Sequence, residues 1–304
     1  YLEAAIQAAT EAGSGLAVIG ILLTEIKGSP ADNRLSPHTE NVVRIAYRRT
    51  VRSCTDPYKR AVYCLLGACD PSDEHSEVAT SLDDYLWIKL AQIRETVTSE
   101  SLLTPGSATQ AVAASSDTLT LSQLQHLLAE EYGEVHFNAF EQPVLYFQVL
   151  FLTGQFEAAC DFLFRTGDRL RSHAVHIGLA LHESRLLLMP PNIRAPLLTP
   201  ATDATGAGNI SFSSTSTIKC LNLARLVMLY VRKFEVTDPR EALHYFFFLR
   251  RMQAPSDAEE AGCKGNLFTS CVSELGLESR DFDLLLGRIL PDGSRAPGLI
   301  DKFG

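Results

Sequence analysis

The fold class this sequence predicts is all-α: an irregular, elongated α-solenoid of stacked antiparallel helices. Three observations predict it. Apolar residues recur at helical spacing and then stop at marked breaks, again and again, while strand-like alternation is nearly absent. In two stretches, 143–165 and 221–250, the break is short, and short turns force neighbouring helices to pack side by side. Several runs are apolar nearly all round, so each needs neighbours on more than one side, which stacked helix pairs supply and a two-layer bundle does not. No fixed repeat period emerges, so the stack is irregular.

The elements follow in order. Val42, Val43, Ala46, Tyr47 and Val51 give a first apolar run among arginines. Asp56 is a helix cap with Pro57 at the first helical position, and Gly67 follows the end. Ser81 and Asp84 have capping-box spacing ahead of Tyr85, Leu86, Leu90 and Ile93. Thr120 and Gln123 form a second box, with Leu119 and Leu124 at the two positions of a hydrophobic staple and Gly133 as terminator. Residues 143–152 are apolar on most sides. Thr153 and Gly154 break that run, and 155–165 resumes with Phe156, Ala159, Phe162 and Leu163. Residues 170–189 carry apolar side chains on every face. Residues 221–234 pair with 242–250 across Asp238, Pro239 and Glu241, which combine a cap, a first-turn proline and a box.

Four loops separate these runs, at 28–37, 99–117, 190–217 and 253–265. Those near 99–117 and 190–217 are expected to be flexible, the latter for its serine, threonine, alanine and glycine content. The helical pattern resumes unchanged after each loop, so residues 1–304 are expected to form one continuous solenoid fragment. The first residue is Tyr1 rather than methionine, and the pattern stops abruptly at Gly304, which suggests a segment of a longer protein.

Composition narrows the function. The chain has 304 residues, 46% of them hydrophobic, enough to bury a core. A net charge of −9 argues against direct nucleic-acid binding, which needs a basic face to displace counterions from phosphates. The seven cysteines are odd in number and sit mostly in apolar helical runs, unlike a secreted disulfide framework. Asn209 opens a glycosylation-like triplet that matters only in a secretory context. The longest membrane-span candidate, 16–23, falls far short of the roughly 18 apolar residues a helix needs to cross.

The chemistry-bearing residues have bland explanations. His173 and His176 share a helix face, with His182 and Glu183 beyond, yet no convergent third and fourth metal ligand accompanies them. Cys64 and Cys69 lie outside any paired-cysteine motif and suit small buried positions. Gly13, Gly15 and Gly20 faintly resemble a dinucleotide loop, but the spacing is wrong and no strand precedes it. Carboxylate pairs such as Asp83/Asp84 and Asp281/Asp283 fall in first helical turns, where they complement the helix dipole. Arg44, Arg48 and Arg52 recur every fourth residue, with Arg49 beside them; they make either a solvated basic face or a dock for an acidic partner. The aromatics at 146–164 and 245–248 suit core packing, with room for a few in a partner groove.

Long runs carry a resemblance. They are Gln142-Pro-Val-Leu-Tyr-Phe-Gln-Val-Leu-Phe-Leu-Thr-Gly-Gln-Phe-Glu-Ala-Ala159, the stretch 223–243 from Leu223 through Asp238 and Pro239, and 271–283 with Asp292 and the 298–303 motif after it. Upstream, 56–64 and 84–90 fit as well. In these runs the chain resembles the nucleoporin-interacting-component family, the inner-ring scaffold nucleoporins of the nuclear pore complex. The likeness covers most of the chain from Asp56 onward and is loose over 1–50. The stretch 199–217 departs from the family pattern, as an insertion at a loop would.

The resemblance implies a helical solenoid that doubles back on itself, as in the ancestral coatomer element shared with vesicle coats. It implies a structural subunit, not an enzyme, at the nuclear pore complex of the nuclear envelope, supporting pore assembly and nucleocytoplasmic transport. It implies no cofactor, metal or catalytic residue, and it leaves the partner-binding residues unknown. Implied partners are other nucleoporins: a membrane-associated linker nucleoporin on the solenoid, and large solenoid and channel nucleoporins through an N-terminal recruiting region not seen in this sequence. Two other classes compete: a vesicle-coat or sorting adaptor of the same architecture, and a helical-repeat hydrolase, which would need titratable groups converging in a pocket.

Overall fold

The computed structural model describes residues 35–94, 119–201, 218–252 and 266–302, together with Glu11. Most of the loop at 28–37, all of 99–117 and 253–265, most of 190–217, Gly13, Gly15, Gly20, the 16–23 run, Asn209, Cys263 and Phe303 lie outside the described residues. Among the described residues the fold is all-α, with short helices, some of them joined by tight turns. The residues group into two compact units, Tyr1–Leu124 and Gln125–Gly304.

In the first unit, helix α1 (Pro37–Ala46) starts at Ser36, whose hydroxyl accepts the Thr39 N–H at 3.4 Å. It continues as a π-helical turn, Tyr47–Val51, closed by the Arg52 N–H on the Tyr47 carbonyl. Asp56 caps α2 (Pro57–Gly67), taking the N–H groups of Tyr58 and Lys59 at 3.0 and 3.3 Å. The residue past the helix end is not Gly67. Gly67 is the last helical residue, and Ala68 takes the left-handed conformation at φ 44. Gly67 is small for a different reason: a Cβ there would meet the Arg44 backbone at 3.4 Å, so glycine lets α1 and α2 approach closely. Ser81 caps α3 (Leu82–Gln92) through the Asp84 N–H at 3.1 Å. The Asp84 carboxylate accepts the Ser81 hydroxyl at 2.7 Å rather than reaching back to the backbone, so the box is only half formed. Buried Lys89 fastens the preceding loop, donating to the carbonyls of Pro71 and Asp73 at 2.6 and 2.9 Å.

The boundary between the units falls in α4 (Leu121–His126), which begins at the reciprocal box expected of Thr120 and Gln123. The Thr120 N–H meets Gln123 Oε1 at 3.0 Å, and the Gln123 N–H meets Thr120 Oγ1 at 3.3 Å. A π-helical turn, Leu127–Tyr132, follows and gives way at Gly133 to the short α5 (Gly133–His136).

The second unit is an irregular run of helix pairs. Helices α6 (Pro143–Leu152) and α7 (Phe156–Thr166) flank the expected break. There the Gln155 N–H closes on the Leu150 carbonyl, while the Gln125 and Gln155 side chains hold the turn from both sides. Helix α8 (Asp168–Glu183) packs along α7. It ends six residues before the apolar run 170–189 does. Arg185 turns left-handed at φ 58 and the Leu186 N–H reaches the Leu181 carbonyl, a Schellman closure, so Leu186–Met189 leave the helix. Helices α9 (Leu223–Val231) and α10 (Pro239–Phe247, extended by a tight turn Phe248–Arg251) form the second expected pair. Asp238 caps α10 through the Glu241 N–H at 3.1 Å, but its own N–H goes to the Phe234 carbonyl, so no reciprocal box forms. Helices α11 (Leu267–Ser279) and α12 (Phe282–Leu286) close the unit. One core runs through α7, α8, α9, α10 and α11, including Cys160, Leu179, Leu226, Leu243 and Cys271.

Two antiparallel strand pairs were not expected: β1 (Leu198–Pro200) with β2 (Lys219–Leu221), and β3 (Gly287–Ile289) with β4 (Arg295–Pro297). Each strand has three residues, too few for alternation to register in the sequence.

Candidate functional site

No described side chains gather as a metal-binding group of three or more His, Cys, Asp or Glu. His173 is exposed, while His176 places Nε2 3.0 Å from the Tyr245 hydroxyl and stacks on that ring. The two histidines therefore share a face without sharing a ligand. No helix among the described residues is long and apolar enough to cross a membrane.

The arginine stripe does not survive as one surface. Arg44 is largely covered: it donates to the Gly67 carbonyl at 3.0 Å and pairs with Glu40 at 2.8 Å. The other Glu40 oxygen takes Arg94 at 3.0 Å, and Arg94 also donates to the Leu65 and Ala91 carbonyls. One carboxylate between two guanidinium groups thus ties α1, α2 and the end of α3 together. The π turn at Tyr47–Val51 then breaks the four-residue register, and Arg52 lies 3.5 Å from Asp70.

Cys64 and Cys69 are buried, as expected of free apolar-site cysteines. They share a small cluster with Tyr47 and Val51, and the Tyr47 hydroxyl donates to Asp70 at 2.8 Å. The Cys69 thiol, with smaller help from His75 and Tyr47, holds Cys64 down to about 5. The same contact, with burial, holds Cys69 above the ordinary thiol range. Neither side chain is open to solvent, which leaves this cluster a packing feature of the first unit.

Two surface grooves are better placed to bind a partner. In the first unit, α2 and α3 leave Tyr58, Val62 and Trp87 exposed at 66%, 50% and 64%, with Asp84 at the edge. In the second, α8 and α10 enclose a groove floored by Leu179, Tyr245 and Phe248, with Glu183 and Glu241 on opposite walls. Sequence reasoning committed to no binding residues, although the 245–248 aromatics it allowed for a partner groove include Tyr245 and Phe248 of the second one. Both grooves join residues far apart in the chain (His176 and Tyr245 are separated by 69 positions), and no local pattern records that juxtaposition.

Over residues 1–304 the chain matches the sequence profile of the family described as Nup93/Nic96. The chain belongs to the Nup93/Nic96 family. That bears out the resemblance read from the runs at 142–159, 223–243 and 271–283. Among its Nup93/Nic96 relatives is nuclear pore complex protein Nup93 of Danio rerio, 51% identical over 302 residues, covering 99% of this chain and 33% of the relative. Nup93-1 of Drosophila melanogaster is 39% identical, covering 87% of this chain and 28% of the relative. Nucleoporin NIC96 of Saccharomyces cerevisiae is 26% identical, covering 90% and 27%. The chain therefore spans about a third or less of the length of these curated relatives. The crystal structure of Chaetomium thermophilum Nic96 SOL superposes with a TM-score of 0.71 at 23% identity, covering 100% of this chain and 40% of that one, which supports the same helical fold.

Proposed function

We propose that this chain is a scaffold segment of the nuclear pore complex inner ring, located at the nuclear envelope, that works by holding other nucleoporins and not by catalysis. The observation that carries the reading is the family match over residues 1–304 together with 51% identity to a nuclear pore complex protein. The fold agrees with it: within each unit short capped helices pack together and leave grooves between helix pairs, the kind of surface that takes linear segments of partners. Among the partners, a membrane-associated linker nucleoporin is assigned to the helical region itself. Large solenoid and channel nucleoporins are assigned to other parts of the family's length.

Cross-linking mass spectrometry on nuclear envelopes tests this. Lysines of this chain, such as Lys59 and Lys302, should cross-link to other nucleoporins. Cross-links confined to vesicle-coat or sorting proteins would overturn the reading.

A further inference from the structure

The geometry points to the groove between α8 and α10 as a docking site for a short linear segment of another protein, one carrying a bulky apolar side chain flanked by lysine or arginine. The space between the walls is about 380 Å³, room for one or two large side chains. The floor is preformed. Tyr245 has its hydroxyl engaged by His176 at 3.0 Å, and its ring packs edge-on against Tyr230 and Phe234 at 5.4 and 5.9 Å. Leu179 beside it belongs to the main core. A floor held this firmly loses little entropy when a guest side chain settles on it.

The walls decide the charge of the guest. Glu183 and Glu241 are both exposed and face the groove from opposite sides. No lysine or arginine lines it, and neither carboxylate has an ion-pair partner among the described residues. Glu183 sits at the C-terminal end of α8, where the helix dipole is negative, and Glu241 in the first turn of α10, where it is positive; the two helix ends offset, so the carboxylates themselves set the sign. Cations are therefore attracted at the rim, while the phosphates of nucleic acid or anionic lipid are repelled. The apolar floor adds a requirement that a free cation does not meet.

This deepens the scaffold reading by naming a class of partner, and rests on it only in taking that partner to be a protein. The test uses two labelled synthetic peptides as probes, one alternating leucine with arginine and a twin with glutamate in place of arginine. Binding to the 304-residue chain is followed by fluorescence anisotropy at physiological salt. The arginine peptide should bind at least tenfold more tightly than its twin. The double variant Glu183→Lys/Glu241→Lys should weaken it at least tenfold, and so should Ala180→Trp, which fills the groove from an exposed position. Both variants should keep the circular dichroism and melting of the parent. Undiminished binding to either folded variant would place the attraction elsewhere on the chain and overturn the assignment. So would equal binding of the twin, or no binding of either peptide. Should Ala180→Trp fail to fold, the charge reversal decides. None of these failures touches pore localisation, so the two readings fail separately.

Discussion

Glu157 is a carboxylate with little exposure in the core of the second unit, and its Oε1 accepts the Leu188 N–H at 2.7 Å. That bond holds the extended segment after α8 against α7. Burial raises the Glu157 carboxyl above its ordinary value of 4.5, opposed by the Leu188 N–H. A raised folded-state value means that its stabilising contribution is full below the unfolded value and is lost as pH rises through the folded one. Glu157→Gln, which keeps an acceptor for Leu188, should therefore be at least as stable as the parent at neutral pH, with the parent gaining on it as pH falls toward 4.5. Glu157→Ala leaves the N–H without its acceptor and should cost about 1–3 kcal/mol in urea unfolding. Asn222 does two tasks at once. It caps α9 through the Arg225 N–H at 3.0 Å and donates to the carbonyls of Ile193 and Ala195 at 2.6 and 2.8 Å. Asn222→Ala removes the cap and strands two acceptors, so a loss of about 2–4 kcal/mol is expected by the same measurement. The ties to Leu188, Ile193 and Ala195 were not legible in the sequence, because those partners lie 27 to 31 positions away; the Asn222 cap is local, three positions from Arg225.

Helix starts were legible because capping is local. Asp56, Thr120 with Gln123, and Asp238 all cap where their spacing said, since a cap and its N–H partner are only two or three residues apart. Helix ends were less so. The run 170–189 is continuous in polarity, yet a left-handed Arg185 stops the helix, and nothing in that residue type announces it. The π turn at Tyr47–Val51 was equally hidden, and it undid the arginine stripe that ideal helical spacing suggested. Where helices cross, single positions carry the packing. A Cβ on Gly178 of α8 would lie 3.3 and 3.4 Å from Leu226 and Leu223 of α9. Gly178→Leu should overpack this crossing and cost about 1–3 kcal/mol, seen as a lower midpoint in chemical denaturation. A variant as stable as the parent would mean that the crossing is looser than its distances indicate.

At the scale of the whole chain, the sequence made the fold class plain through repetition: one capped apolar helix after another, with almost no strand-like alternation between them. It made the family plain through long ordered runs. The grooves stayed hidden because they are properties of helix pairs, not of helices. Service as framework at the nuclear pore is tested most directly by where the protein resides. The endogenous protein, fluorescently tagged, should give a punctate nuclear rim that coincides with pore markers and persists when vesicle traffic is blocked. A signal on cytoplasmic vesicles, or one spread through the cytosol with no rim, would contradict it.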